Sequence, residues 1–98
     1  MKRGSTPVHV FTVDIDLTGA NVFISYRQGK NIIVEKSGTE ITITSTTLET
    51  QLTQEETLAF GTGEVEMQIR YVYPDGTADA SDIMKTSAER ILKEGVIT

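Results

Sequence analysis

Apolar and polar residues alternate with a period of two along most of this sequence. Successive side chains of a β-strand point to opposite faces, so this alternation predicts strands with one buried face. Composition agrees, because fifteen of the 98 residues are Thr and only two are Pro, and β-branched residues pack well on a sheet. The clearest run places Val65, Met67, Ile69, Tyr71 and Tyr73 on one face, opposite Glu64, Glu66, Gln68 and Arg70.

Six further strands are predicted, at about residues 8–16, 22–27, 32–36, 41–44, 48–52 and 80–88. Turn-forming residues separate several of them, at 18–21, 28–31, 37–39 and 74–77. Short strands with turns roughly every eight to twelve residues are typical of an immunoglobulin-like sandwich, although this chain has no Cys and no Trp to supply that fold's hallmark. A small closed barrel is the alternative. We predict an all-β, immunoglobulin-like antiparallel sandwich of about seven strands.

One short helical turn is predicted near residues 54–59. Thr53 and Glu56 form a capping box, in which each side chain accepts a hydrogen bond from the backbone N–H of the other residue. Gly61 and Gly63 end this turn. Residues 86–93 fit either a strand or a helix, and we expect extended chain to about residue 88.

A chain of 98 residues accommodates one hydrophobic core and therefore one domain. We assign that domain to residues 8–92. Residues 1–7 form an N-terminal arm and residues 93–98 a C-terminal tail, because both lack the alternating pattern. Arms of this kind are expected to become ordered on assembly, and Arg3, Thr6 and Pro7 are the candidate assembly residues.

Charge and residue content exclude several classes of function. Nine Lys and Arg against fourteen Asp and Glu give a net charge of −5, which disfavours contact with a nucleic-acid backbone. The absence of Cys excludes disulfides and thiolate metal sites. One His cannot assemble a nucleophile, base and orienting group. We therefore predict a protein that is not an enzyme and binds no cofactor.

The first residues, Met1, Lys2 and Arg3, resemble the start of a signal peptide, but no apolar run follows them. No apolar run exceeds three residues, as at 32–34, far short of the ~20 residues of a membrane span. We expect synthesis in a cytoplasm without export and no contact with a membrane.

Acidic pairs are weak candidates for a metal site. Asp14 and Asp16 lie two residues apart on a predicted strand, so their side chains would share a face. Asp75 and Asp79 follow the turn at Pro74 and could supply loop oxygens to calcium. Neither pair has the spacing of the twelve-residue calcium loop, and the favoured interpretation is that these acids keep the surface soluble and protect sheet edges.

Aromatic residues suggest a second candidate site. Tyr26, Tyr71 and Tyr73 could form a stacking platform for a glycan, aided by loop carboxylates and calcium. Packing in the sheet is the favoured role of Tyr71 and Tyr73, because they share a face with Met67 and Ile69. His9 is in phase with Phe11, so we expect a partly buried, hydrogen-bonded side chain.

The sequence also resembles a family of small proteins encoded in prophages of gut Firmicutes. Residues 3–12, Arg-Gly-Ser-Thr-Pro-Val-His-Val-Phe-Thr, are similar to that family's start. The segments 52–58, 65–70, 75–77 and 81–83 are similar as well, while 85–89 is less apolar than the family pattern. The resemblance implies a β-sandwich in a structural module of a tailed phage.

The resemblance further implies a non-enzymatic virion protein associated with the tail, baseplate or connector. Its partners would be other virion proteins and copies of itself, and it would be located in the virion. The alternative function is a host-surface glycan-binding or adhesion module of the same β-sandwich type.

Overall fold

Eight strands in two antiparallel sheets make up about half of the computed structural model, which describes residues 1–98. A helix of five residues and one 3-10 turn complete the regular structure. The elements are β1 (Val8–Thr12), β2 (Asn21–Gln28), β3 (Asn31–Ser37), the 3-10 turn (Gly38–Glu40), β4 (Thr42–Thr44), β5 (Thr47–Gln51), α1 (Gln54–Leu58), β6 (Gly63–Val72), β7 (Ala78–Ala80) and β8 (Met84–Ala88). No helix has the length and apolar character needed to cross a membrane.

The first sheet has three strands in the order β1–β5–β4, and the second has the order β3–β2–β6 with β7 and β8 beyond β6. Strand β8 pairs with the first half of β6, and β7 pairs with its end. These two short strands therefore form one interrupted edge. If β7 and β8 are counted as one interrupted edge strand, the sheets have three and four strands. This confirms the predicted antiparallel sandwich of about seven strands.

The position of β2 distinguishes this sandwich from an immunoglobulin constant domain. That domain places its second strand in the same sheet as the first, whereas β2 lies here between β3 and β6. A two-residue turn joins β2 to β3, with Gln28 opposite Asn31. Gly29 has a φ of +60°, a value that glycine adopts without steric cost. The tight turn keeps β2 and β3 in one sheet.

The core lies between the two sheets and takes alternate residues from their longer strands. Strand β2 contributes Val22, Ile24 and Tyr26, and β6 contributes Val65, Met67 and Ile69. The first sheet adds Phe11 and Leu48, while Leu17, Leu52 and Phe60 enter from the connections. Burying each large apolar side chain is worth ~1.5–3 kcal/mol, so this shared core holds the sheets together.

Strand β1 is shorter than the sequence predicts. It ends at Thr12, and residues 13–17 cross the tip of the β4–β5 hairpin instead of continuing as strand. The Val13 N–H donates to Thr46 O at 2.8 Å, and the Leu17 N–H donates to Ser45 O at 2.8 Å. The hairpin tip therefore replaces a strand partner for this segment, and the predicted strand over 8–16 is wrong beyond residue 12.

The predicted helical turn is confirmed at α1. The Thr53 hydroxyl accepts from the Glu56 N–H at 3.1 Å, and the Glu56 carboxylate accepts from the Thr53 N–H at 2.9 Å. Extended chain to residue 88 is also confirmed, since β8 ends at Ala88. The predicted strand over 80–88 is interrupted at residues 81–83, where the Ile69 N–H bonds to the Ser81 side chain.

Candidate functional site

A His–Tyr pair connects the two sheets inside the sandwich. His9 Nδ1 of β1 lies 2.7 Å from the Tyr26 hydroxyl of β2, and Tyr26 is fully buried. Burial, with the charge of Glu56 next, raises the pKa of the Tyr26 hydroxyl. Burial also lowers the pKa of His9, helped by the N-terminal ammonium. Both side chains are neutral at pH 7, and the expected partly buried, hydrogen-bonded histidine is confirmed.

An ion pair lies between β3 and α1. Lys36 is only 5% exposed, and its ammonium donates to Glu56 Oε1 at 2.7 Å. Burial acts to raise the pKa of Glu56, but hydrogen bonds from Lys36 and Thr53 outweigh this effect and lower it. This pair is not among the residues predicted from the sequence. The sequence does indicate that Lys36 is buried, because it lies two residues after Val34 and both side chains point to the same face of β3.

These polar groups act together as a structural connection. His9, Tyr26, Lys36 and Glu56 come from three strands and a helix. No buried side-chain nitrogen or oxygen lacks a hydrogen-bond partner. Fully paired buried polar groups make one arrangement of the surrounding elements more favourable than others, so this cluster orients both sheets relative to α1.

The acidic candidates are not gathered into one site. Asp16 and Asp75 each accept a backbone N–H two residues further on, from Thr18 and Thr77, both at 2.9 Å. Asp79 accepts the N–H of its own neighbour at 2.8 Å. These hydrogen bonds lower the pKa values of Asp16 and Asp75. The carboxylates therefore stabilise turns in their own loops.

The expectation that Asp14 and Asp16 share a strand face is wrong, because β1 ends before them. Asp14 instead lies near Tyr71, whose pKa is raised by partial burial, then by Asp79, Tyr73 and Asp14. No group of three acidic, His or Cys side chains has an arrangement that could hold a metal ion.

The three tyrosines do not form a common surface. Tyr26 lies in the core, on the same face of β2 as Ile24. The suggestion that Tyr26 contacts a glycan is therefore wrong. Tyr71 and Tyr73 are half-buried against the core, with ring centroids 5.8 Å apart at 78°. The Tyr73 hydroxyl donates to Asp16 O at 2.7 Å. Packing in the sheet, the favoured role for these two residues, is confirmed.

The N-terminal segment 1–7 lies against the domain instead of projecting from it. Arg3 donates to Phe60 O at 2.6 Å and to Leu58 O at 3.0 Å. Thr6 O accepts from the Gln51 side chain, and Pro7 O accepts from the Leu52 N–H at 3.0 Å. The arm was expected to become ordered only on assembly. It is instead ordered against its own domain, because Arg3 finds hydrogen-bond acceptors at carbonyls more than fifty residues away in the sequence.

The C-terminal tail follows the domain for part of its length. Ile97 exchanges two hydrogen bonds with the Gln54 side-chain amide, at 2.9 and 3.0 Å. Arg3 also forms an ion pair with Glu94 at 2.8 Å. Leu92, the residue before the tail, is in contrast 93% exposed. The two chain ends therefore lie near each other beside α1.

The solvent side of the second sheet, which we call the outer face, carries apolar and charged residues together. Phe23, Ile32 and Ile83 are exposed large apolar residues on it. Arg27 pairs with Glu66 at 3.4 Å beside them. Two shallow depressions, which share Ser25, are lined by these residues together with Gln68, Glu35, Arg70, Val72 and Ala78.

Comparisons with protein-family models, curated proteins and solved structures found no match to this chain.

Proposed function

We propose that this chain is a non-enzymatic assembly protein of a tailed-phage or prophage virion. The observation that carries the proposal is the outer face. Its exposed Phe23, Ile32 and Ile83 lie among paired charges of both signs. Exposed apolar residues with a polar rim are typical of protein–protein contact surfaces.

The fold suits this role physically. The domain measures 47 × 28 × 18 Å and presents a broad sheet face to solvent. Assembly proteins form repeated, symmetry-related contacts, and a sheet face or edge supplies such contacts without a deep pocket. A place at the tail, baseplate or connector is part of the proposal and rests on the sequence resemblance.

Particle composition tests the proposal directly. Virions from an induced lysogen that encodes the chain are purified by density-gradient centrifugation, and the chain is quantified by mass spectrometry. We expect it to remain with the particles at a constant copy number through repeated purification. Its absence from both particles and assembly intermediates would overturn the proposal. If the isolated chain instead binds host-surface glycans, the adhesion alternative is favoured.

Surface variants then test the outer face. The double variant Phe23→Ser, Ile83→Ser removes two exposed apolar side chains and is expected to fold normally but to be lost from particles. Leu92→Ser is the matched control, because Leu92 is also exposed but lies in the C-terminal segment. Incorporation of the double variant at the wild-type level would show that the outer face is not the contact surface.

A further inference from the structure

Strand β1 has one unpaired edge. Its other edge pairs with β5, in the register Val8 opposite Gln51. Hydrogen bonds from Leu52 N–H to Pro7 O and from Val13 N–H to Thr46 O define which residues face β5. Antiparallel neighbours alternate between hydrogen-bonded and non-hydrogen-bonded pairs. The backbone N–H and C=O groups of the odd-numbered residues of β1 therefore point toward β5. The backbone N–H and C=O groups of Val8, Val10 and Thr12 therefore point away from the sheet.

This edge has none of the features that normally block strand pairing. Residues 4–13 contain no Asp, Glu, Lys or Arg, and β1 itself contains no Pro and no bulge. Val8 is 49% and Val10 61% exposed. Charged residues, prolines, bulges and short strands are the usual protection of a sheet edge, so the free edge of β1 is available for another strand.

The three other edges are protected. Strand β4 has only three residues. Strand β3 carries Glu35 and pairs with β2 across a register irregularity. The β7–β8 edge is interrupted and carries Asp79 and Lys85. Among the edges of this sandwich, β1 is the one suited to pairing.

We propose that β1 pairs with β1 of a second copy of this chain, antiparallel, about a two-fold axis at Val10. This register places Val8 opposite Thr12 of the other copy and Val10 opposite its counterpart. The outward backbone groups then form about six hydrogen bonds. Two three-stranded sheets become one six-stranded sheet, and β-branched side chains pair across the new junction.

Charge favours a second copy as the occupant. Each chain carries a net charge of −5, so most contacts between copies bring acidic surfaces together. The uncharged segment 4–13 avoids this repulsion, and a two-fold axis makes one strand complementary to itself. A strand pair buries less than a standard interface of ~1,600 Å², so the dimer is expected to be weak and concentration-dependent. This inference builds on the proposed function by naming one partner and its contact.

Two variants at Val10 test the pairing. Val10→Pro removes an N–H that faces solvent, a position where an edge strand tolerates proline, so the domain keeps its own hydrogen bonds. Val10→Lys places two like charges at the axis. Thr42→Lys is the matched control, because Thr42 is exposed on the edge strand β4 of the same sheet and the charge change is the same. Circular dichroism verifies folding of each variant.

Molar mass by light scattering across a hundredfold concentration range is the readout. We expect the wild-type chain and Thr42→Lys to dimerise alike, and both Val10 variants to raise the dissociation constant about tenfold or more. A strictly monomeric wild-type chain, or folded Val10 variants that dimerise like wild type, would overturn the inference.

A cysteine variant tests the register in which the two β1 strands pair. The chain has no Cys, so Val10→Cys can form only a disulfide between copies. The paired Cα atoms would lie ~5.5 Å apart, inside the range of a disulfide. We expect rapid oxidation to a dimer, and slow oxidation of the control Thr42→Cys. Equal rates would contradict this register. Virion incorporation with no β1 pairing would refute the inference alone and leave the proposed function standing.

Discussion

Lys36 shows how a charged residue can occupy a core position of a strand. Its alkyl stem lies on the buried face of β3 and its ammonium reaches Glu56 on α1. Glu56 also accepts the Thr53 N–H, so one carboxylate caps the helix and neutralises a buried cation. A buried ion pair need not stabilise more than apolar residues would, but removing one partner is costly.

The variant Glu56→Gln tests this dependence. The amide oxygen keeps the capping bond to Thr53, but Lys36 loses its 2.7 Å anionic partner. We expect the free energy of unfolding to fall by about 2–3 kcal/mol, measured by urea denaturation at pH 7. Glu40→Gln is the matched control, since Glu40 lies farther from Lys36, at 3.7 Å, and is half exposed. A loss below ~0.5 kcal/mol for both variants would contradict this role.

His9 predicts a pH dependence of stability. Its pKa in the folded protein is below the ordinary value of 6.5, so the unfolded chain binds the proton more tightly. Stability should therefore be complete above pH 6.5 and decline as the pH falls below it. His9→Asn does not titrate and places an amide near Tyr26. Between about pH 7 and 5, the melting temperature of this variant should change less with pH than that of wild type. If the two plots of melting temperature against pH are parallel, His9 is not the cause.

At the scale of elements, the turns and helix caps were predicted best from the sequence. The capping box at Thr53 and the two-residue turn at Gly29 depend on neighbours within a few positions, and both were predicted. The end of β1 was not. Its alternation continues through Ile15, but the hairpin tip at Ser45 and Thr46 supplies carbonyls to residues 13 and 17. A competing partner thus overrode the local pattern.

That hairpin tip contains the one non-glycine residue with positive φ. Ser45 has a φ of +32°, at the first central position of the turn, where glycine is favoured. Ser45→Gly is expected to stabilise the protein by about 0.5 kcal/mol, since relief of strain exceeds the added entropy of the unfolded chain. Thr46→Gly lacks that relief and should destabilise. Thermal denaturation of both variants measures the difference, and a destabilised Ser45→Gly would disprove the strain.

At the scale of the whole molecule, the chain ends hold the elements together. The Met1 ammonium donates to Ser87 O at 2.7 Å, and the Met1 side chain is 3% exposed. Arg3 binds the carbonyls of Leu58 and Phe60 where α1 ends. One short segment therefore contacts β8 and the helix, which are far from it in sequence.

Removal of residues 1–7 should consequently destabilise the isolated domain. Loss of the Arg3 hydrogen bonds and of buried Met1 is expected to cost about 2–4 kcal/mol, or at least ~10 °C in melting temperature. Removal of residues 96–98 is the control, because it removes the two hydrogen bonds of Ile97 with Gln54 and the half-exposed Val96, and it should cost less than half as much. An unchanged melting temperature after N-terminal removal would show that these contacts contribute nothing.

The sequence by itself determined the local architecture: mostly antiparallel strands, a capped helical turn at Thr53, tight turns, and burial of His9. These features follow from alternation, capping and glycine positions, which act over a few residues. Only the tertiary structure decided that β2 lies between β3 and β6, that the Tyr26 hydroxyl meets His9, that Lys36 meets Glu56, and that Arg3 binds the end of α1. Such contacts join residues distant along the chain, and their free energy depends on which surfaces meet, which no local pattern encodes.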